Sequence, residues 1–402
     1  MRRMSRYGLA RRLTRRGALL AAGAVAAGGG VLAAGAAVAT GAAVAAAPGS
    51  AGPAPSPGTA RAVPELEQVA TFEGQVTGVA VARTGRMFVN FPRWEKDVPV
   101  SVAEVLPGGR LRPYPDAGWN AWSNLKPLST QDHWVCVQSV TVDPQGFLWV
   151  VDPAAPGNEF TKPGGPKLVK IDLSTDKVAQ VILFDETVAP QGSYMNDVRV
   201  SPDGKYAYLT DSGQKGALVV VDVAAGTARR VLDGDPRTQP EPGVVPMTDG
   251  HELRRPDHRI PAFAADGIAL DAAGEWVYWQ ALVGRTLYRA PTAALTDPGA
   301  DVGGKVERVA TTFVADGLWM DRQGYLFITD PAVNGVRMRA PDGTMRVVAQ
   351  DARLRWPDSL AEGADGSIYV TASHIQDMAQ FHEKGSTQRG PWGLFRIAKP
   401  HG

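Results

Sequence analysis

Six segments of the chain share one alternation of polar and apolar positions: a polar opening residue, a short apolar strand, a glycine-centred turn and a second apolar strand. They are TGVAVARTGRMFVN from Thr77, QSVTVDPQGFLWVVD from Gln138, NDVRVSPDGKYAYLTD from Asn196, DGIALDAAGEWVYWQA from Asp266, DGLWMDRQGYLFITD from Asp316 and DSLAEGADGSIYVTAS from Asp358. In every copy the turn glycine (Gly85, Gly146, Gly204, Gly274, Gly324, Gly366) falls eight residues after the opening residue. Short strands repeated at intervals of roughly 40 to 70 residues predict an all-β fold, a six-bladed β-propeller, with each segment supplying the two inner strands of a blade.

Outer strand pairs follow the segments, at 101–115, 168–183, 217–232, 286–290 with 305–311, and 335–350. The last blade lacks one, because LFRIAKPHG (394–402) has no strand after it. The missing strand is expected at the other end of the chain. LEQVATFEG (66–74) is close to VERVATTF (306–313), and both lead directly into an inner segment. The N-terminal strand is therefore predicted to close the last blade and pair an otherwise open sheet edge.

The ends depart from this pattern. Seven Arg and no acid lie between positions 2 and 16, followed by an Ala/Gly-rich apolar run to Ala47, which reads as an export signal over residues 1–47. Thr14-Arg15-Arg16-Gly17 resembles the twin-arginine type, and Ala45-Ala46-Ala47 offers a cleavage site; an uncleaved anchor is the competing reading. Residues 48–64 form a Pro/Ala/Gly linker with too little apolar surface to fold, and 65–402 form the propeller. The expected product is an exported monomer, extracellular or in the cell envelope, with no stable membrane association once the signal is removed. Without the leader arginines the chain is mildly acidic and has no basic run, which argues against nucleic acid as a partner and leaves a small-molecule ligand. The single Cys136, in an apolar stretch, is expected in the core.

A propeller brings its six inner strands to one axis, so the opening residues Thr77, Gln138, Asn196, Asp266, Asp316 and Asp358 should meet at one end of the channel. Three carboxylates converging there must either retain protons or share a cation. Asp and Asn oxygens suit a hard divalent ion, Ca²⁺ first, held by Asn196, Asp266, Asp316 and Asp358. The competing reading of Asp266-Gly267 and Asp316-Gly317 is a turn cap with no ligand. Loops at the same end carry Arg93 and Trp94, suited to an anionic or aromatic ligand, and His374, a candidate proton carrier. Asp152, Asp211 and Asp330 read as turn residues. Two long connections, 233–263 and 375–393, are placed to cover the entrance.

Phe88-Val89-Asn90-Phe91-Pro92-Arg93-Trp94 with Val98-Pro99-Val100-Ser101, Leu111-Arg112-Pro113-Tyr114-Pro115, Gly192-Ser193-Tyr194-Met195-Asn196-Asp197 and Gly284-Arg285-Thr286-Leu287-Tyr288 resemble the major royal jelly protein/yellow family across most of 66–400. The resemblance implies a secreted six-bladed propeller linked to dopachrome conversion or to small-amine binding. The slots of Asn196 and Asp266 are also similar to those of gluconolactonase-like propellers, which place an Asn and an Asp on a divalent metal. That family's first-blade Glu is replaced here by Thr77, with Glu73 the nearest acid. Three readings follow. The first is a metal-dependent hydrolase of lactones or related esters, with Asp266 moving the proton. The second is a non-catalytic binder of aromatic amines, with Trp94 and Tyr194 stacking on the ligand. The third is a dopachrome-tautomerase-like isomerase.

Overall fold

The computed structural model describes residues 65–401 apart from Lys96, Glu159 and Lys399; the expected leader and linker lie outside them. The described residues form six four-stranded antiparallel sheets in a ring. In each, the two strands of the repeated segment are innermost. Blade 3 is representative: Met195–Val200, Tyr206–Asp211, Ala217–Asp222 and Thr227–Val231 lie side by side in chain order. Turn glycines such as Gly204 (φ 72°) and Gly85 (φ 84°) occupy the left-handed region, which explains their fixed place in the repeat.

The chain closes as the sequence predicts. Leu66–Phe72 pairs antiparallel with Trp392–Ile397, from Leu66 opposite Ile397 to Phe72 opposite Trp392, and completes the sheet of Pro357–Glu362 and Ile368–Ala372. Ala70 and Phe72 pack with Val89, Ala103 and Leu394, so the closing strand joins the core shared by the first and last blades. Apolar side chains fill the spaces between neighbouring blades elsewhere, for example Trp149 and Leu168 of blade 2 with Val198 and Leu209 of blade 3.

The Asp-Gly pairs have a packing cause. A Cβ at Gly267 would collide with the main-chain carbonyl of Asp316, and one at Gly317 with that of Asp358. Glycine at these positions lets one inner strand nest against the next. The same close approach brings the neighbouring carboxyls together on the axis.

Candidate functional site at the channel mouth

In three blades the opening residue stands where the inner ladder is interrupted. Pairing between the first two strands skips from Met195 to Val198, from Ala265 to Ile268 and from Pro357 to Leu360. Asn196-Asp197, Asp266-Gly267 and Asp358-Ser359 are thus released from the ladder and can aim at the axis. Hydroxyls from the second strands hold these breaks in place. Thr210 donates to the carbonyl of Asp266 and accepts from the amide of Asp197; Thr371 donates to the carbonyl of Thr77 and accepts from the amide of Ser359. Thr329 accepts from the amides of Asp316 and Gly317. Three blades are stitched in this way through their own second strands, two of them to the opening residue of the next blade.

A cavity of about 230 Å³ opens at this end, with Gln138, Asn196, Asp266 and Asp316 on its floor. Trp94, Tyr194, Phe263 and Trp356 give it aromatic walls. Asn196 Nδ2 donates to Asp266 Oδ1 at 2.7 Å, and Trp356 Nε1 donates to Asp316 Oδ2. Trp94 Nε1 donates to the Tyr194 hydroxyl at 2.6 Å, and that hydroxyl donates to Gln138 Oε1 at 3.0 Å. The two long connections do reach the entrance. Arg255 and Phe263 come from one and Ile375, Met378 and Gln380 from the other, with Arg255 Nη1 donating to Gln380 Oε1 at 3.2 Å between them.

Asp266 and Asp316 are close neighbours on the axis, and burial together with their mutual repulsion favours retention of a proton by the pair. Burial, reinforced by the charges of Asp316, Asp197 and Asp358, pushes Asp266 well above the usual carboxylate range. Burial likewise raises Asp316 to about 7, against the stabilising indole N–H of Trp356. Asp358 is also raised well above its ordinary value, chiefly by burial, and its Oδ2 is a buried acceptor with no partner. None of Asp197, Asp266, Asp316 and Asp358 forms an ion pair with a basic side chain among the described residues. Tyr194 remains a phenol because burial raises it far above 10.

The remaining sequence candidates lie elsewhere. Thr77 is fully buried; it donates to the carbonyl of Gln138 at 3.0 Å and accepts from Asn90 Nδ2 at 2.8 Å, a joint between blades rather than part of the mouth. Asp358 lies behind the cavity wall, where its Oδ1 accepts from the Ser359 hydroxyl. Arg93, 1% exposed, donates to the carbonyls of Trp134, Val135, Val98 and Trp122 and pairs with Asp97. With the Ser101 hydroxyl also accepting from Nη1, its donors are taken up within the chain, and its place is a structural clasp for the 119–137 loop. His374 faces the Trp392 ring (5.9 Å between centroids) and does not line the mouth; burial holds it below its usual value. Asp152, Asp211 and Asp330 accept from nearby amides as turn residues do, and each also pairs with a base, Lys167, Arg230 and Arg337 respectively. Cys136 is buried, its thiol pushed up to about 12.

Sequence reasoning missed Asp197, Trp356 and the three threonines. Asp197 follows Asn196 directly, and Trp356 stands two residues before Asp358. Thr210, Thr329 and Thr371 recur near the end of the second strand, a repeated polar slot as regular as the opening one.

The mouth offers oxygen donors for a divalent ion, but not as a closed cage. Among the described residues no group of three His, Cys, Asp or Glu is placed to hold a metal. Asn196 turns its N–H toward Asp266, Asp316 is tied to Trp356, and Glu73 is exposed on the groove between the first and last blades.

The retained protons affect stability. A carboxyl whose folded-state pKa is raised stabilises the fold below its ordinary range and loses that contribution as pH rises through the folded value. His374, held low, acts in the opposite sense only as pH approaches 6.5. The unliganded protein is therefore expected to melt at progressively lower temperature as pH rises from the ordinary carboxylate range, about 4, to about 7, and Asp316→Asn should flatten that slope. A melting series across the range checks this; a flat or rising wild-type profile would contradict the assignment.

Fold and site together define a six-bladed propeller with an acidic, aromatic-walled channel mouth. The model of the major royal jelly protein family matches residues 135–387, more than half of the chain, and the protein belongs to that family. No protein of curated function matches the chain in sequence. Among solved structures, a putative gluconolactonase is similar at 14% identity with a TM-score of 0.51, covering 83% of this chain and 92% of its own. A gluconolactonase from Xanthomonas campestris is similar at 12% identity (TM-score 0.49, 82% and 88% covered). Regucalcin from Agrobacterium tumefaciens, described as a calcium-binding protein, is similar at 15% identity (TM-score 0.47, 82% and 94% covered). At these identities the likeness is one of fold.

Proposed function

We propose that the channel mouth captures a small organic cation, an aromatic amine. The observation that carries this reading is the pair Asp266 and Asp316, buried side by side with no basic partner, beneath the rings of Trp94, Tyr194 and Trp356. An ammonium group would take the place of the shared proton, and the aryl body would lie among the indoles, where cation–π attraction adds to the ion pair. A cavity of about 230 Å³ has room for one such molecule. Calorimetric titration with tyramine and tryptamine tests this. The expected result is one site per chain, weakened by Trp94→Ala; absence of heat with every amine would overturn the reading.

A second reading rests on the same proton. Two carboxyls sharing one proton form an acid–base pair, the set needed to open a lactone or ester: one carboxylate takes a proton from water and the other acid protonates the departing oxygen. Asp266 is the residue to which this assigns the mobile proton. A lactone and ester screen on protein purified without chelator, with elemental analysis for calcium and magnesium, tests it. Turnover that survives in full in Asp266→Asn would exclude this assignment.

A further inference from the structure

The far end of the channel carries a separate chamber of about 330 Å³, formed where the inner strands finish. Its ceiling is Arg199. From the inner strand of blade 3, this side chain donates from Nη1 to the carbonyl of Val198 at 2.7 Å and from Nη2 to the carbonyl of Leu318, in blade 5, at 2.6 Å. The guanidinium thereby spans the channel and stacks on the Trp319 ring at 4.9 Å. The Arg199–Trp319 layer separates this chamber from the acidic mouth, and the two cavities share no lining residue.

Arg199 is 8% exposed, and no carboxylate bonds to it; Asp197, two positions earlier on the same strand, is the acid whose charge acts on it without a direct contact. A guanidinium has five N–H donors, and two are engaged here. Its Nε has no partner, nor does the indole N–H of Trp319 beside it. The acids around the chamber are committed elsewhere. Asp143 caps its own turn and accepts from Trp149 Nε1, Asp271 caps the turn at Glu275 and Trp276, and Glu362 pairs with Arg322. Arg83, on the rim, is exposed and engages no acceptor among the described residues. Between the two free arginines the walls are Val81, Val142, Leu270 and Met320.

We infer that this chamber is a second ligand site, for a small organic carboxylate. The carboxylate would lie against the free N–H edge of Arg199, the geometry a guanidinium matches best. Its apolar body would lie along the valine, leucine and methionine walls, with Arg83 closing over it. Apolar walls favour an organic acid over a fully solvated inorganic anion. The site is independent of the amine reading of the mouth.

Sodium benzoate, titrated into the purified protein by calorimetry, is the probe. The expected result is one site per chain, weakened about tenfold in Arg199→Met and about threefold in Arg83→Ser, and unchanged in Asp316→Asn. If Arg199→Met fails to fold, the exposed Arg83→Ser still decides the matter. Lack of benzoate binding, affinity indifferent to both arginine variants, or binding of inorganic phosphate in place of benzoate would overturn the proposal. Loss of binding in Asp316→Asn with Arg83→Ser unaffected would place the benzoate in the mouth and equally overturn it.

Discussion

Asp316→Asn is expected to weaken aromatic-amine binding roughly 30-fold or more, the effect of removing one partner from a desolvated charge pair. Its carboxyl is the ring member raised to a value near neutrality, so it is the group able to ionise when a cation arrives. An amide keeps the shape and can still accept from Trp356 Nε1, but it cannot carry the charge. The same change should leave stability unchanged or improved above pH 7, because it removes a buried acid that otherwise ionises among Asp197, Asp266 and Asp358. Loss of binding with unchanged or higher melting temperature distinguishes a ligand contact from a structural residue. A variant that lost both together would show that Asp316 serves the fold. Wild-type affinity should also rise with pH up to about 7, as the pair gives up its proton, then stay level until the amine itself deprotonates near pH ~10.

Removing the closing strand should have the largest effect on stability. A chain beginning at Gln75 lacks Leu66–Phe72 and leaves the Trp392–Ile397 strand as an open edge. It loses the ladder along that strand and the burial of Ala70 and Phe72, the aromatic ring alone contributing about 2–3 kcal/mol. The ladder hydrogen bonds add about 1 kcal/mol each, so the total approaches the whole stability of a domain, about 5–15 kcal/mol. Such a chain is expected not to fold as a soluble monomer, whereas one beginning at residue 65 should match the full chain. Size-exclusion chromatography and thermal melting compare the two. A truncated chain that melts cooperatively at the parent temperature would show that the ring does not depend on its closing strand.

The fold was readable from the sequence because its determinants are local and repeated. Two-residue alternation marks the strands, and a turn needing positive φ marks the glycine. The closing strand was found because LEQVATFEG is close to an outer strand of another blade. The site was only partly readable. The repeat points to the opening residues as a group, but which of them reach the cavity depends on where each ladder breaks and on what covers it. Thr77 is buried under the next blade and Asp358 sits behind the wall, neither of which follows from residue identity. Arg93 beside Trp94 reads as a pair for an anionic or aromatic ligand, yet the loop carrying Trp122, Trp134 and Val135 folds over the arginine and leaves the tryptophan in the mouth. Arg199 gave no sequence signal because a basic residue in a strand is ordinary; only the ring shows that it crosses the channel.

On the amine reading the mouth exchanges a carboxyl proton for an organic cation. Calorimetric titration of tyramine at pH 6, in two buffers of different ionisation enthalpy, measures it most directly. One site and release of about one proton per amine bound are expected, with both lost in Asp316→Asn. Binding without proton release, or equal affinity in Asp316→Asn, would contradict it.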